Sequence, residues 1–274
     1  MKLDGRTSIV TGAGSGIGRA IAIEHARRGA RVVCAGRRRA AIDETVGLIE
    51  AAGGSALAVP TDVTSTQQVD RLVQAAVERF DRIDVLFNNA GSFDCLGGLW
   101  QVDPEQWWQD VTINLRGVML CCHAVLPQMM RRNEGVIINM DGGGSTYPLP
   151  GGSGYGCSKA AMLRLTETLA KELERVGSNV LVFALGPGFV RTAMTELQCT
   201  NPRGVEWIPG SKEGLDAGHH RPPQDCAKAS VDLIRIACSQ LAGRIFSTGA
   251  DFDAIANHAD EIAEQDKHVM RKGT

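Results

Sequence analysis

The chain has 274 residues at 29.3 kDa, a length that α/β folds use as one unit, so a single domain over 1–274 is expected. Hydrophobic residues make up 43% and charged residues 22%, near globular averages, which excludes disorder, coiled coil and collagen-like structure. The formal net charge of −2, with Lys and Arg spread along the chain, leaves no electrostatic footprint for nucleic acid or an anionic membrane.

Residues 1–6 are too short and polar for a signal peptide, and no apolar stretch approaches the ~20 residues of a membrane span. The eight cysteines lack CxxC spacing and mostly sit in apolar segments as small hydrophobes, so a reduced, cytoplasmic setting is expected. The first strand is predicted at 7–11. Behind it comes Thr11-Gly12-Ala13-Gly14-Ser15-Gly16-Ile17-Gly18, opening a helix with Ile17, Ile21 and Ala26 inward. Glycines let the backbone approach a diphosphate, and the free N–H groups and dipole of a helix N-terminus favour its charge. A second strand at 31–35 runs into Gly36 and Arg37-Arg38-Arg39. An acid at Gly36 would accept from a ribose 2′-OH, whereas arginine forms charge-assisted bonds to a 2′-phosphate, which favours NADP(H).

A third strand at 56–60 leads through Asp62 and Val63 to a helix with Val69, Leu72, Val73, Ala76, Val77 and Phe80 on one face, started by Thr64 or Ser65. The fourth strand, 84–88, ends in Asn88-Asn89-Ala90-Gly91. Asp103-Pro104-Glu105-Gln106 then combines an N-cap acid, a proline at the first helical position and a glutamine three after the cap, predicting a helix to about residue 130 that carries Asn114. The fifth strand is placed at 136–140, the sixth at 179–184 and the seventh at 244–248. Strands alternating with helices over 20 or more residues imply right-handed βαβ units and a doubly wound parallel sheet of Rossmann type, helices on both faces. Prolines and glycines interrupt every period over 193–224, read as a surface excursion that acts as a substrate lid, and 250–274 is read as a C-terminal tail.

Tyr155 and Lys159 are four apart, so on a helix they share a face. A nearby ammonium favours the phenolate and brings a phenol of pKa about 10 within reach of proton transfer. Ser153 is the expected N-cap of this helix.

The spacing GxxxGxG in the first turn, Asn88-Asn89-Ala90-Gly91, Tyr155-Gly156-Cys157-Ser158-Lys159 and Pro187-Gly188-Phe189-Val190-Arg191-Thr192 together resemble the short-chain dehydrogenases/reductases, in order and approximate spacing, over about residues 5 to 250. The resemblance implies an NAD(P)(H)-dependent oxidoreductase interconverting a secondary alcohol and a ketone, with Tyr155 as acid/base, Lys159 on the nicotinamide ribose and Asn114 holding a proton-relay water. It implies a cofactor cleft of Gly12, Gly14, Ser15, Gly16, Ile17, Gly18, Arg37, Asp62 at the adenine, Val63, Asn89, Ala90, Gly91, Tyr155, Lys159, Pro187, Gly188, Val190 and Thr192 near the carboxamide. Ser15, at a turn position where some NADP-using relatives carry a base, keeps NAD(H) open. A homo-tetramer or dimer is implied by analogy.

One departure stands out: thirteen residues before Tyr155, where the family usually has a serine that hydrogen-bonds the substrate oxygen, this chain has Gly142. Losing such a donor costs about 10² to 10³ in rate. Ser145, Asp141 or Ser153 could replace it; alternatively the protein is a cofactor-binding sensor or scaffold, or a non-redox isomerase, lyase or cyclase. Phe93, Cys95, Met194 and Trp207 are candidate contacts to a small-molecule substrate, and His219 and His220 lack a second ligand pair, so no metal is expected.

Overall fold

The computed structural model describes residues 1–270. Strands β1 (Thr7–Thr11), β2 (Arg31–Gly36), β3 (Ser55–Pro60), β4 (Val85–Asn88), β5 (Gly135–Met140), β6 (Val180–Gly186) and β7 (Ile245–Ser247) form one parallel sheet in the order β3-β2-β1-β4-β5-β6-β7. The connecting helices are α1 (Gly16–Arg27), α2 (Arg39–Ala51), α3 (Thr66–Phe80), α4 (Pro104–Val111), α5 (Gly117–Arg132) and α6 (Ser153–Arg175). After β6 come α7 (Ala193–Thr200), α8 (Pro202–Trp207), α9 (Pro209–Asp216) and α10 (Pro223–Ile236), and after β7 come α11 (Phe252–Asn257) and α12 (Ala259–Glu264).

The inner strands β1, β2, β4, β5 and β6 bury both faces, which is why they read as continuous apolar runs. Ile9, Val33, Leu86, Ile137 and Val182 join α3, α5 and α6 in one core. Their neighbours Val10, Val32, Cys34, Phe87, Ile138 and Phe183 join α1, α2 and α10 in the other. Period-two alternation thus feeds two layers of helix. Because β1 pairs with β2 on one side and β4 on the other, the chain turns opposite ways from β1 and leaves a crevice at the carboxyl ends of the strands.

Three stretches differ from the sequence expectation. The helix from Pro104 is interrupted by a π-turn at Thr112–Arg116, and the Asp103 carboxylate caps Glu105 N at 3.0 Å rather than forming a box with Gln106. The prolines of 193–224 start helices instead of ending them: Pro202, Pro209 and Pro223 stand at first-turn positions, where a missing N–H costs nothing. The 250–264 part of the expected tail is helical and packed, with Phe252, Ile255 and Ile262 buried in the α1/α10 core. Residues 271–274 lie outside the described residues. Among the described residues, no helix is long and apolar enough to cross a membrane.

Candidate active site

The glycine turn between β1 and α1 is built by close approaches that exclude side chains. Gly12 (φ +67°) and Gly16 (φ +53°) take left-handed backbone, and a Cβ on Gly18 would lie 2.3 Å from the Gly12 carbonyl oxygen. Ser15 is the N-cap residue, yet its side chain caps nothing, so the first N–H groups of α1 remain available to an anion. Two other strand ends converge on this turn. Asn89 Nδ2 donates to Thr11 O at 3.0 Å, and the Asn89 and Ala90 amides both donate to Thr11 Oγ1 at 3.0 Å. A Cβ at Gly16 would stand 3.3 Å from Thr192 Cγ2, so Thr192, from beyond β6, borders the same cleft. Thr192 also caps α7 in a capping box with Thr195, a structural duty its sequence setting did not announce. Pro187 follows β6, Gly188 has φ +72°, and Val190 is buried and bridges to Arg221. These residues fit a bound dinucleotide: an uncapped helix start and a floor without Cβ atoms.

Asp62 Oδ1 accepts from the Thr64 amide and hydroxyl at 2.9 and 2.8 Å, leading the chain into α3, whose N-cap is Ser65; Val63 packs against Gly117. Of the three arginines after β2, Arg39 is held by Asp43, Arg37 is exposed, and Arg38 reaches to 3.5 Å from Ser15 Oγ. Arg38 is therefore the one that leans over the turn.

On α6, Tyr155 and Lys159 are both buried, with Lys159 Nζ 5.5 Å from the phenol ring centroid. The ammonium donates to Met140 O at 2.7 Å, and burial lowers its pKa to about 8 against the opposing charge of Asp141. Contrary to the sequence expectation, the phenol pKa is raised, first by burial and then by Asp141, Tyr147 and Asp110. Lysine does not win here because its charge faces a carbonyl rather than the phenol oxygen. Ser153 is also not the N-cap of α6: Gly152 holds that place, and Ser153 Oγ accepts from Trp107 Nε1 at 3.0 Å.

Asn114 lies in the π-turn, fully buried. Its Nδ2 donates to Ser92 O (2.8 Å) and Ser158 Oγ (3.1 Å), and its Oδ1 accepts from Ser92 N (2.9 Å). Both side-chain N–H groups are thus committed to the protein, so this side chain orders the segment after Gly91 rather than donating to a relay water. Asp110 does the same one turn earlier, accepting from Ser92 Oγ at 2.5 Å and from the Asp94 and Cys95 amides. Sequence reading missed Asp110, although Trp107, Asp110 and Asn114 recur at i, i+3 and i+7 on the inward face.

The candidate substrate residues separate. Phe93 stacks on Tyr155 with centroids 4.3 Å apart and planes 9° off parallel, and Met194 joins Leu96, Leu149 and Ile208 around the pair. The last three were not foreseen. Trp207 stands further out, filling the space above Gly98 and Gly151 and meeting Trp100 edge-on, and Cys95 is fixed through its amide by Asp110. Asp141 and Ser145, both buried, lie at the end of β5, with Ser145 Oγ donating to Asp141 Oδ2 at 3.1 Å.

A sequence profile described as short chain dehydrogenase matches residues 6–202. The 3-oxoacyl-acyl-carrier-protein reductase FabG of Thermotoga maritima is 36% identical over 246 residues, covering 89% of this chain and 96% of its own. Among solved structures, a short-chain dehydrogenase/reductase of Burkholderia phymatum in complex with NAD superposes with TM-score 0.80 at 28% identity, covering 100% of this chain and 99% of that one. A metagenomic short-chain oxidoreductase in complex with NADP gives TM-score 0.70 at 28% identity over 88% and 95% of the two chains.

Proposed function

This chain belongs to the short-chain dehydrogenase family and is an NAD(P)-dependent oxidoreductase, and we propose that it interconverts a secondary alcohol and a ketone with Tyr155 as acid/base. The observation that carries the reading is the meeting of the buried Tyr155–Lys159 pair and the uncapped α1 N-terminus in one strand-end crevice. The nicotinamide, when bound, supplies or takes the hydride. Gly12, Gly14, Ser15, Gly16, Ile17 and Gly18 hold the diphosphate, Asp62 and Val63 border the adenine, and Asn89 to Gly91 and Pro187 to Thr192 border the nicotinamide end. Tyr155 gives its proton to the carbonyl oxygen in reduction and takes it back in oxidation, and Lys159 serves the ribose. Asn114 acts by fixing Ser92 and Ser158.

NADP(H) is the preferred cofactor in this proposal: no acid ends β2, and Arg37 and Arg38 are uncommitted to carboxylates among the described residues. The segment 193–224 is a substrate lid, since its Met194 and Ile208 pack on the Phe93–Tyr155 pair. A homo-oligomer, tetramer or dimer, is supported by exposed Trp108, Met119 and Met130 on neighbouring helices. All eight cysteines are free, in keeping with a reducing, cytoplasmic setting.

The test is oxidation of NADPH and NADH by the purified protein over diketones, cyclic ketones, aryl ketones and quinones. Tyr155→Phe should lose about 10²-fold or more in kcat while still binding NADPH. Cofactor binding with no turnover on any carbonyl or alcohol would replace this reading with a sensor.

A further inference from the structure

The place of the usual serine is filled, though not by a side chain of its own. A Cβ on Gly142 would stand 2.0 Å from the Tyr155 phenol oxygen and 2.8 Å from its Cζ, so the phenol occupies the volume a serine would need. Tyr155 has little freedom to withdraw, being stacked on Phe93 and enclosed by Leu96, Leu149, Met194 and Ile208. With this backbone and this tyrosine, a second polar group at the reacting oxygen must come from another residue.

Asp141, next to Gly142 at the end of β5, is 9% exposed and anchored by its amide, which donates to Leu185 O at 2.9 Å. Its Oδ2 accepts from the hydroxyl of Ser145, itself 6% exposed. Its Oδ1 is fully enclosed and accepts no hydrogen bond of good geometry among the described residues, the neighbouring Gly142 amide lying close enough only to favour the charged form. A buried carboxyl oxygen without a partner is costly, and such groups persist where a ligand completes them.

We propose that Asp141 supplies the hydrogen bond to the substrate oxygen that the serine gives in related enzymes, with Ser145 as its positioning residue. This rests on the alcohol–ketone reading above. To donate, the carboxyl must carry its proton, and in that form it no longer raises the Tyr155 phenol or supports the Lys159 ammonium as its charged form does. Burial pushes its pKa up, while the Gly142 amide, the Lys159 ammonium and the Ser145 hydroxyl oppose that rise. Lys159 and Tyr155 of α6 are the titratable groups that face it, Tyr147 and Asp110 act on the phenol beyond, and β6 presents only the backbone around Leu185 and Gly186. The proton is not consumed: in reduction the carbonyl carbon takes the hydride while the carbonyl oxygen takes the Tyr155 proton, and Asp141 shares its own proton with that oxygen and retains it.

The experiment compares the full-length protein with Asp141→Asn, Asp141→Ala and Ser145→Ala, using NADPH and the ketone panel between about pH 5 and 9, after NADPH binding has shown each variant folded. Asp141→Ala should lose about 10²- to 10³-fold in kcat with KM for NADPH unchanged. Asp141→Asn, a neutral donor of the same shape, should recover to within about tenfold of the natural protein and lack the alkaline fall that ionisation of Asp141 imposes. Ser145→Ala removes a bond to the ionised form, so it should move that fall to higher pH. An infrared difference spectrum, natural protein minus Asp141→Asn at neutral pH, should show the C=O stretch of a neutral carboxylic acid. An Asp141→Asn variant as impaired as Asp141→Ala, an unimpaired Asp141→Ala, or absence of that band each overturns the proposal. If the natural protein binds NADPH but reduces no ketone, the alcohol–ketone reading fails instead, and the infrared band still decides whether Asp141 is the neutral donor.

Discussion

Replacing Gly142 by alanine or serine should damage this protein, although a comparison of motifs alone would make serine the repair. Side-chain carbons essentially never stand closer than 3.0 Å to such a neighbour, and the added Cβ would begin 2.0 Å from the Tyr155 oxygen, so the phenol must move by about 1 Å or the strand end must yield. The ring cannot slide freely because Phe93 lies parallel to it at 4.3 Å. Overpacking of this kind costs about 1–3 kcal/mol, and at about 2–4 °C per kcal/mol the melting temperature should fall by several degrees. A misplacement of about 1 Å in the proton donor costs on the order of 10²-fold in kcat. The assays are thermal melting with and without NADPH, and steady-state ketone reduction. A Gly142→Ser protein that melts at the natural temperature and turns over as fast or faster would refute the packing argument.

His25 is buried between Ser8 Oγ (2.9 Å from Nδ1) and Ser230 Oγ (3.0 Å from Nε2), and burial lowers its pKa to about 3. The unfolded chain binds a proton near pH 6.5 and the folded one only near 3, so stability is complete above about 6.5 and is lost as pH falls towards 3, at ~1.4 kcal/mol per unit. Urea midpoints in this window should fall less steeply for His25→Gln, and equal slopes would sink the assignment. Asp84, fully buried, accepts from Thr7 N at 2.9 Å and pairs with Arg6 and Arg82, which keep 27% and 31% of their side-chain exposure. Asp84→Ala should therefore cost about 2–3 kcal/mol in urea unfolding, less than a wholly buried pair. Arg37→Ala with Arg38→Ala should raise KM for NADPH about ten- to a hundredfold and leave NADH nearly unchanged, as expected for lost charged hydrogen bonds. Trp207→Ala empties the space above Gly98 and Gly151, so it should raise substrate KM and speed protease cutting within 193–218 while cofactor binding holds.

The parallel sheet was legible because its inner strands bury both faces and leave uninterrupted apolar runs, and six of its seven strands were placed to within one residue at both ends. The helices of 193–224 were hidden because proline has opposite meanings at the start and in the middle of a helix, and local sequence does not say which applies at Pro202 or Pro209. The Tyr155–Lys159 pair was visible as a spacing, but the direction of the phenol's pKa depends on burial and on where the ammonium points, neither of which spacing encodes. Gly142 is the sharpest case: the sequence shows an absent hydroxyl, and only the fold shows that Tyr155 fills its volume.

The contact between Thr192 and the Gly16 turn has a consequence for how the chain and its cofactor depend on each other. The first segment of the cleft is complete by residue 18 and the last arrives beyond β6, with β4 and β5 intervening in the sheet. An amino-terminal fragment that ends before Thr192 cannot assemble both walls, so a nascent or truncated chain of that length lacks the cofactor's full grip. Dinucleotide affinity is then linked to folding of the whole sheet, and saturating cofactor at 100 times its Kd adds about 2.7 kcal/mol to the folded state alone. Cellular abundance of this protein should accordingly follow the supply of its nicotinamide, independent of any turnover.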